Sequence, residues 1–223
     1  MPVSLDRHRL ERLSRRACRP PSRVLVLSEG SVTPPGICRL GDRAVALRAV
    51  NQFNAGLLIL RAAFGLFLSY HGYNKVFGPG GLAGTASWFE GIGMRWPIWQ
   101  ARLAASTEIG SGLLMASGLL TPFAAAGMIG LMTVAIVVAH GKVGFFIFKP
   151  GQGWEYCASI AVTAFVIGMV GPGRQSLDHA FGLNWRGLDG WIGAVIAGVA
   201  GLGGAFIQLA ISYRPKKDAP STP

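Results

Sequence analysis

Apolar residues in this chain fall into long runs broken by short glycine- and proline-marked segments. The first run opens near Ala55 and closes at Phe77. Further runs extend from about Ile98 to Leu120, Pro122 to His140, Trp154 to Val170 and Leu188 to Ile211. Each approaches the roughly 17–25 residues that a helix needs to cross a bilayer. The pattern predicts an all-α, polytopic membrane protein with five transmembrane helices. Between the first two runs, FGPGGLAG breaks the helix, and Thr85–Ile92 is expected to form a short helix with Trp88 and Phe89 at the membrane interface, where aromatic rings prefer to lie. Thr121-Pro122 makes a tight connection with proline in the first turn of the next helix.

Residues 1–50 break this pattern. They hold proline and arginine but no lysine and no sustained apolar run, so they read as a disordered basic extension. A second reading is an overextended gene start, with translation beginning near Val45 or Val50. Residues 51–178 form the main membrane domain, 179–212 a polar loop and the fifth helix, and 213–223 a basic tail. The net charge of +11 is concentrated at the N-terminus, where ten arginines face four acids in residues 1–49. Because the body of the chain belongs in lipid, this charge argues for contact with the bilayer surface and against nucleic-acid binding. Cys18, Cys38 and Cys157 form no CxxC pair and no metal-ligand spacing. Cys157 reads as a small buried apolar residue.

The chemistry sits in the few polar residues within the apolar runs. Arg61, His71 and Lys75 lie within about 80° of one another on the first helix at about 100° per residue. Ionisable groups in lipid are costly and face a partner or a wet cavity. Alternating helix direction brings His71 and Lys75, near the end of the first helix, to the membrane side shared by Glu108, His140 and Glu155; Arg61 falls toward the opposite side. One reading is a structural ion-pair network that sets helix register. The other is a small-molecule pocket lined by these residues, by glycines 78, 80, 81 and 84, and by Trp88, Phe89, Trp154 and Tyr156. A quinone suits such a pocket: its carbonyls accept hydrogen bonds, its ring stacks on aromatics and its tail stays in lipid. The predicted catalytic residues are Glu108, His71 and Lys75, and the predicted cofactor-binding residues are His71, Lys75, Trp88, His140 and Glu155. No covalent cofactor and no metal centre is predicted, although haem ligation by His71 and His140 and a His/Glu metal site are alternatives. The last helix carries Gly193, Ala197, Gly201 and Ala205 at four-residue spacing, which suits packing within the bundle or contact with a second copy.

Several segments in order are similar to the DoxX family of small bacterial and archaeal membrane proteins: RAAFGLFLSYHGYNKVFG at 61–78, GGLAGTASWFEGIGM at 80–94, TEIGSGLLMASGLLTPFAA at 107–125, GWEY at 153–156 and GPGRQSLD at 171–178. The resemblance spans residues 57–178 and implies a four-helix bundle core, to which this chain adds a fifth, C-terminal transmembrane helix. It also implies a bacterial cytoplasmic membrane location and links to quinone-coupled sulfur or thiol metabolism and oxidative-stress defence. The superfamily resembles thiol oxidoreductases that use a CxxC pair, which this chain lacks. The positions that match family motifs are Arg61, Gly65, His71, Gly72, Lys75, Gly81, Gly84, Glu108, Glu155 and Asp178. The expected function is therefore a quinone-binding, redox-linked subunit that receives electrons from a soluble redox or sulfur-transfer partner or a small sulfur donor. The alternatives are a non-catalytic membrane anchor for such partners and a small-solute or proton transporter; the sequence shows no internal repeat of the transporter kind.

Overall fold

The computed structural model describes residues 40–183 and 190–215. The N-terminal extension up to residue 39, the loop residues 184–189 and the tail beyond 215 lie outside the described residues, and with them Cys18, Cys38, Arg186, Lys216, Lys217 and the question of the start. Helix α1 runs Leu40–Phe77, α2 Gly81–Gly91, α3 Pro97–Ser117, and α4 Thr121–Ala135, continued by a π-helical turn over Ile136–His140. Helix α5 covers Glu155–Val170 and the one-turn α6 covers Leu177–Ala180. The last helix is built from α7, Trp191–Val195, a second π turn over Ile196–Ala200, and α8, Gly201–Ser212. No strand occurs among the described residues, apart from an isolated antiparallel bridge between Met94 and Tyr213.

Among the described residues, three helical segments are long and apolar enough to cross a membrane: Val45–Phe77, Thr121–His140 and Trp191–Ser212. Helix α5 is apolar but shorter, and α3 carries Gln100, Arg102 and Glu108 among its apolar residues. The first helix begins at Leu40, well before the expected Ala55, so residues 40–50, read from sequence as disordered, are helical. Only its beginning belongs to the N-terminal unit, which ends at Gln52; all that follows concerns residues from Phe53 onward. The four-residue α6 was not anticipated. Its N-cap is Ser176, whose hydroxyl accepts from the His179 amide at 3.2 Å.

Small residues set the helix spacing. A Cβ placed on Gly72 of α1 would lie 2.8 Å from Cβ of Glu108 on α3 and 2.9 Å from the Ala105 carbonyl oxygen. Farther along the same interface, a Cβ on Gly65 would lie 2.7 Å from the Ala116 amide nitrogen. With no side-chain bulk at these positions the two backbones meet, the packing mode favoured between helices in lipid. The stripe Gly193, Ala197, Gly201 and Ala205 does the same within the chain. All four are buried, and a Cβ on Gly201 would lie 2.8 Å from the Ala126 carbonyl oxygen of α4. On α5, a Cβ on Gly168 would lie 3.1 Å from Cβ of Ala197. Within the chain, the stripe thus packs against α4 and α5. An apolar core of Met115, Met128, Ile167 and their neighbours fills the space between α3, α4 and α5.

Gly72→Val should cost about 1–3 kcal/mol, as overpacking a tight interface does. The thermal midpoint of the purified protein in detergent should fall by several degrees. Gly56→Ala, with nothing within 4 Å of the added methyl, should leave it unchanged or slightly higher.

Candidate functional site

The antiparallel course of the helices sorts the polar residues to two ends. At one end, Arg61 is 1% exposed. Its guanidinium donates to the backbone carbonyls of Ala116, in the last turn of α3, and Gln175, in the segment before α6. Asp178 on α6 is equally enclosed and takes hydrogen bonds from the Leu120 amide at 2.9 Å, the Thr121 amide at 3.2 Å and the Thr121 hydroxyl at 3.1 Å. Its own amide donates to the Gly118 carbonyl at 3.0 Å. Gly118 sits at φ 67°, and a Cβ there would press 2.9 Å from Cζ of Arg61. Nearby, the Asn54 side-chain oxygen accepts from the Arg174 amide at 2.7 Å. These groups cap helix ends: Arg61 covers the Ala116 carbonyl at the C-terminus of α3, and Asp178 covers amides at the N-terminus of α4. Arg61 thus serves packing at the opposite end from His71 and Lys75, although all three share a helix face.

At the other end lies a cavity of about 450 Å³, walled by α1, α2, α3, α4, α5 and the last helix. Most of its lining is apolar, from residues such as Leu68, Phe89, Leu131 and Val138, with Gly127, Gly130, Gly201 and Gly204 providing room. Its polar lining includes His71, Lys75, Thr107, Glu108, His140, Tyr156 and Gln208. The Lys75 ammonium sits 2.6 and 2.7 Å from the two Glu108 carboxylate oxygens. Glu108 is 6% exposed, whereas the Lys75 side chain retains 27%. A carboxylate so deep needs the charge and donors that Lys75 brings. His71 lies one turn before Lys75 and lines the same cavity.

His140 reaches the cavity through the π turn that ends α4, in which the Gly141 amide donates to the Ile136 carbonyl at 2.6 Å. A π turn holds one more residue than an α turn and so changes the direction of the side chains that follow. Nδ1 of His140 is 2.7 Å from the Gln152 carbonyl, and Nε2 is 2.6 Å from the Tyr156 hydroxyl. Both ring nitrogens are therefore engaged, which disfavours His140 as a haem ligand. Gln152 presents its carbonyl from a left-handed conformation, φ 58°.

The structure thus brings four of the predicted site residues, His71, Lys75, Glu108 and His140, to one cavity, with Trp88 on its wall. Glu155 does not line it. Its carboxylate accepts from the Ile147 amide at 3.2 Å and fastens the 141–154 loop to the start of α5. Glycines 78, 80, 81 and 84 and Trp154 also lie off the lining; Trp154 packs edge-on to Phe145 instead. Cys157, expected to be a buried apolar residue, is buried and also lines the cavity. Sequence reasoning passed over the hydrogen-bonding role of Tyr156 and missed the pair formed by Gln208 and Gln100 at 2.9 Å. The polar residues in the last apolar run were the available signal for the second. Among the described residues no group of three or more His, Cys, Asp or Glu side chains could hold a metal ion.

Apolar helices of membrane-crossing length around a cavity with polar groups at one end define a helical integral membrane protein. Residues 56–141 match the family model described as DoxX, so this stretch of the chain is a DoxX-like membrane domain. The match takes in α1 from Gly56 through α4, so it contains His71, Lys75, Trp88, Glu108 and His140, and it ends before Tyr156 and the GPGRQSLD segment. No curated protein and no solved structure matches the chain significantly.

Replacing Lys75 by Met should cost about 3 kcal/mol, the low end for breaking a buried pair, because Lys75 keeps some contact with solvent. Adding Glu108→Gln should restore most of that loss by removing the stranded carboxylate. Chemical unfolding of the two single variants and the double variant in bicelles measures the coupling; simple addition of the two losses would mean that the residues act independently.

Proposed function

We propose that the cavity is a quinone site and that the protein is a redox-linked subunit of the bacterial cytoplasmic membrane. In this reading it is connected to sulfur or thiol metabolism, with electrons supplied by a soluble partner or a small sulfur donor. The observation that carries this reading is the distribution of polarity in the cavity: a mainly apolar chamber of about 450 Å³ whose polar lining includes two side-chain pairs, Lys75 with Glu108 and His140 with Tyr156. A quinone ring offers two carbonyl acceptors and an apolar tail. Lys75 has three hydrogens, and Glu108 has two oxygens to receive them, so a donor remains for a carbonyl. Glu108 is placed to exchange a proton with a ligand that Lys75 holds. Trp88 and Phe89 supply aromatic surface for the ring.

The anchor reading draws on a different feature. The loop between α4 and α5 exposes Phe145, Phe146, Ile147 and Phe148 on a backbone fixed by hydrogen bonds, such as Trp154 N–H to the Gly144 carbonyl at 3.0 Å. A firm apolar loop suits docking of a partner or burial in the membrane interface.

Lipid extraction of protein purified in mild detergent should yield about one quinone per chain, with no haem band in the dithionite-reduced minus oxidised spectrum. Glu108→Gln or His71→Ala, expressed and folded, should lose that quinone and any quinone-dependent activity. Full quinone content in both variants would sink the assignment of these residues. A haem band would redirect it to His71.

A further inference from the structure

The hydrogen-bond chain at the end of α4 gives the cavity a direction. A backbone carbonyl can only accept, so the hydrogen shared by Gln152 and His140, 2.7 Å apart, sits on Nδ1. The reverse tautomer would set two lone pairs against each other at that distance. In the neutral imidazole, Nε2 is then an acceptor, and the Tyr156 hydroxyl 2.6 Å away donates to it. The carbonyl is held in place independently of any ligand, since the Gln152 amide donates to the Lys149 carbonyl at 2.8 Å and the Gly153 amide to Phe146 at 3.1 Å. Tyr156 has a single hydroxyl hydrogen, and it is committed to His140. To a ligand in the cavity the phenol oxygen therefore offers lone pairs alone.

We propose that Tyr156, with its polarity set by His140 and the Gln152 carbonyl, is a specificity-determining residue that makes the cavity prefer the hydroxyl-bearing, reduced form of a quinoid ligand over its carbonyl form. The proposal rests on the quinone reading above and adds the oxidation state of the ligand. Both redox forms keep lone pairs on oxygen and can accept from Lys75. A hydroquinone can also donate to Tyr156, whereas a quinone has no hydrogen to give and brings its carbonyl against the phenol oxygen.

The test is anaerobic equilibrium binding to the full chain in nanodiscs, using an alkyl hydroquinone, its dimethyl ether and the matching alkyl benzoquinone. The wild-type protein should bind the hydroquinone about tenfold more tightly than either of the others, the effect of one buried hydrogen bond made or missed. Tyr156→Phe should bring the three affinities together, by weakening the hydroquinone and by relieving the contact of the benzoquinone carbonyl with the phenol oxygen. His140→Leu frees the phenol hydrogen to turn into the cavity and should shift the preference toward the benzoquinone. His140→Gln should keep the wild-type order, because its amide oxygen accepts from the phenol while its N–H donates to Gln152. A hydroquinone preference that survives in Tyr156→Phe overturns the proposal. A ligand-free measurement stands beside it: nitrogen chemical shifts of labelled histidine should report the Nδ1–H tautomer at His140, and the Nε2–H tautomer would overturn the proposal whatever binds. If the expected tautomer is present and none of the three compounds binds the wild-type chain, the quinone reading itself fails and this ligand assignment falls with it.

Discussion

A carboxylate inside a membrane bundle must be given a counter-charge, and the pairing of Glu108 with Lys75 is the constraint around which this protein is arranged. The pair joins α1 to α3. It forms because Gly72, three residues before Lys75, carries no side chain where Cβ of Glu108 packs. Any larger residue at 72 would separate the helices and stretch a contact that the surrounding lipid cannot replace with water. Close backbone approach and charge pairing are thus one feature of the α1–α3 interface. The cavity opens beside it, bordered also by α4 and the last helix.

The two polar ends of the bundle differ in kind. Around Arg61 and Asp178, donors and acceptors are turned onto backbone groups of the α3–α4 connection and the segment around α6. That arrangement closes helix ends and excludes space, down to Gly118, where even a methyl group would strike Arg61. Around Lys75, Glu108, His140 and Tyr156 the side chains bond to one another and border a chamber. Groups paired around open volume keep further donors or lone pairs within reach of a ligand; groups sealed onto backbone carbonyls and amides at helix ends do not. This contrast is the physical reason for assigning function to one end and architecture to the other.

The loop from 141 to 154 links these chemical and structural roles. Its hydrogen bonds hold Gln152 in a left-handed conformation that turns a carbonyl toward His140, and Glu155 secures the loop at the Ile147 amide. A residue outside the cavity, Glu155, thereby supports the geometry of residues within it. The DoxX match ends at residue 141, so the imidazole belongs to the matched domain while its two hydrogen-bonding partners come from the part of the chain beyond it.

Long apolar runs, their glycine and proline breaks and the alternation of helix direction follow from one-dimensional pattern, because lipid requires every backbone group to be bonded within its own helix. The helical membrane architecture, the polar cluster and the likeness to DoxX were legible on that basis. His71, Lys75, Glu108 and His140 could be grouped from depth alone. Three matters depended on tertiary structure. The π turn at Ile136–His140 breaks the helical period, and neither it nor the partners of the His140 ring, the Gln152 carbonyl and the Tyr156 hydroxyl, follows from a 3.6-residue count. Glu155 stands at the right depth but is turned onto the 141–154 loop, and Arg61 shares a face with Lys75 yet meets the Ala116 and Gln175 carbonyls; depth and face do not specify which neighbour a long side chain reaches. The small-residue stripe of the last helix did not say which helix it meets, and only the packed positions of α4 and α5 show its partners within the chain, because close backbone contact looks the same in sequence whichever helix supplies the other side.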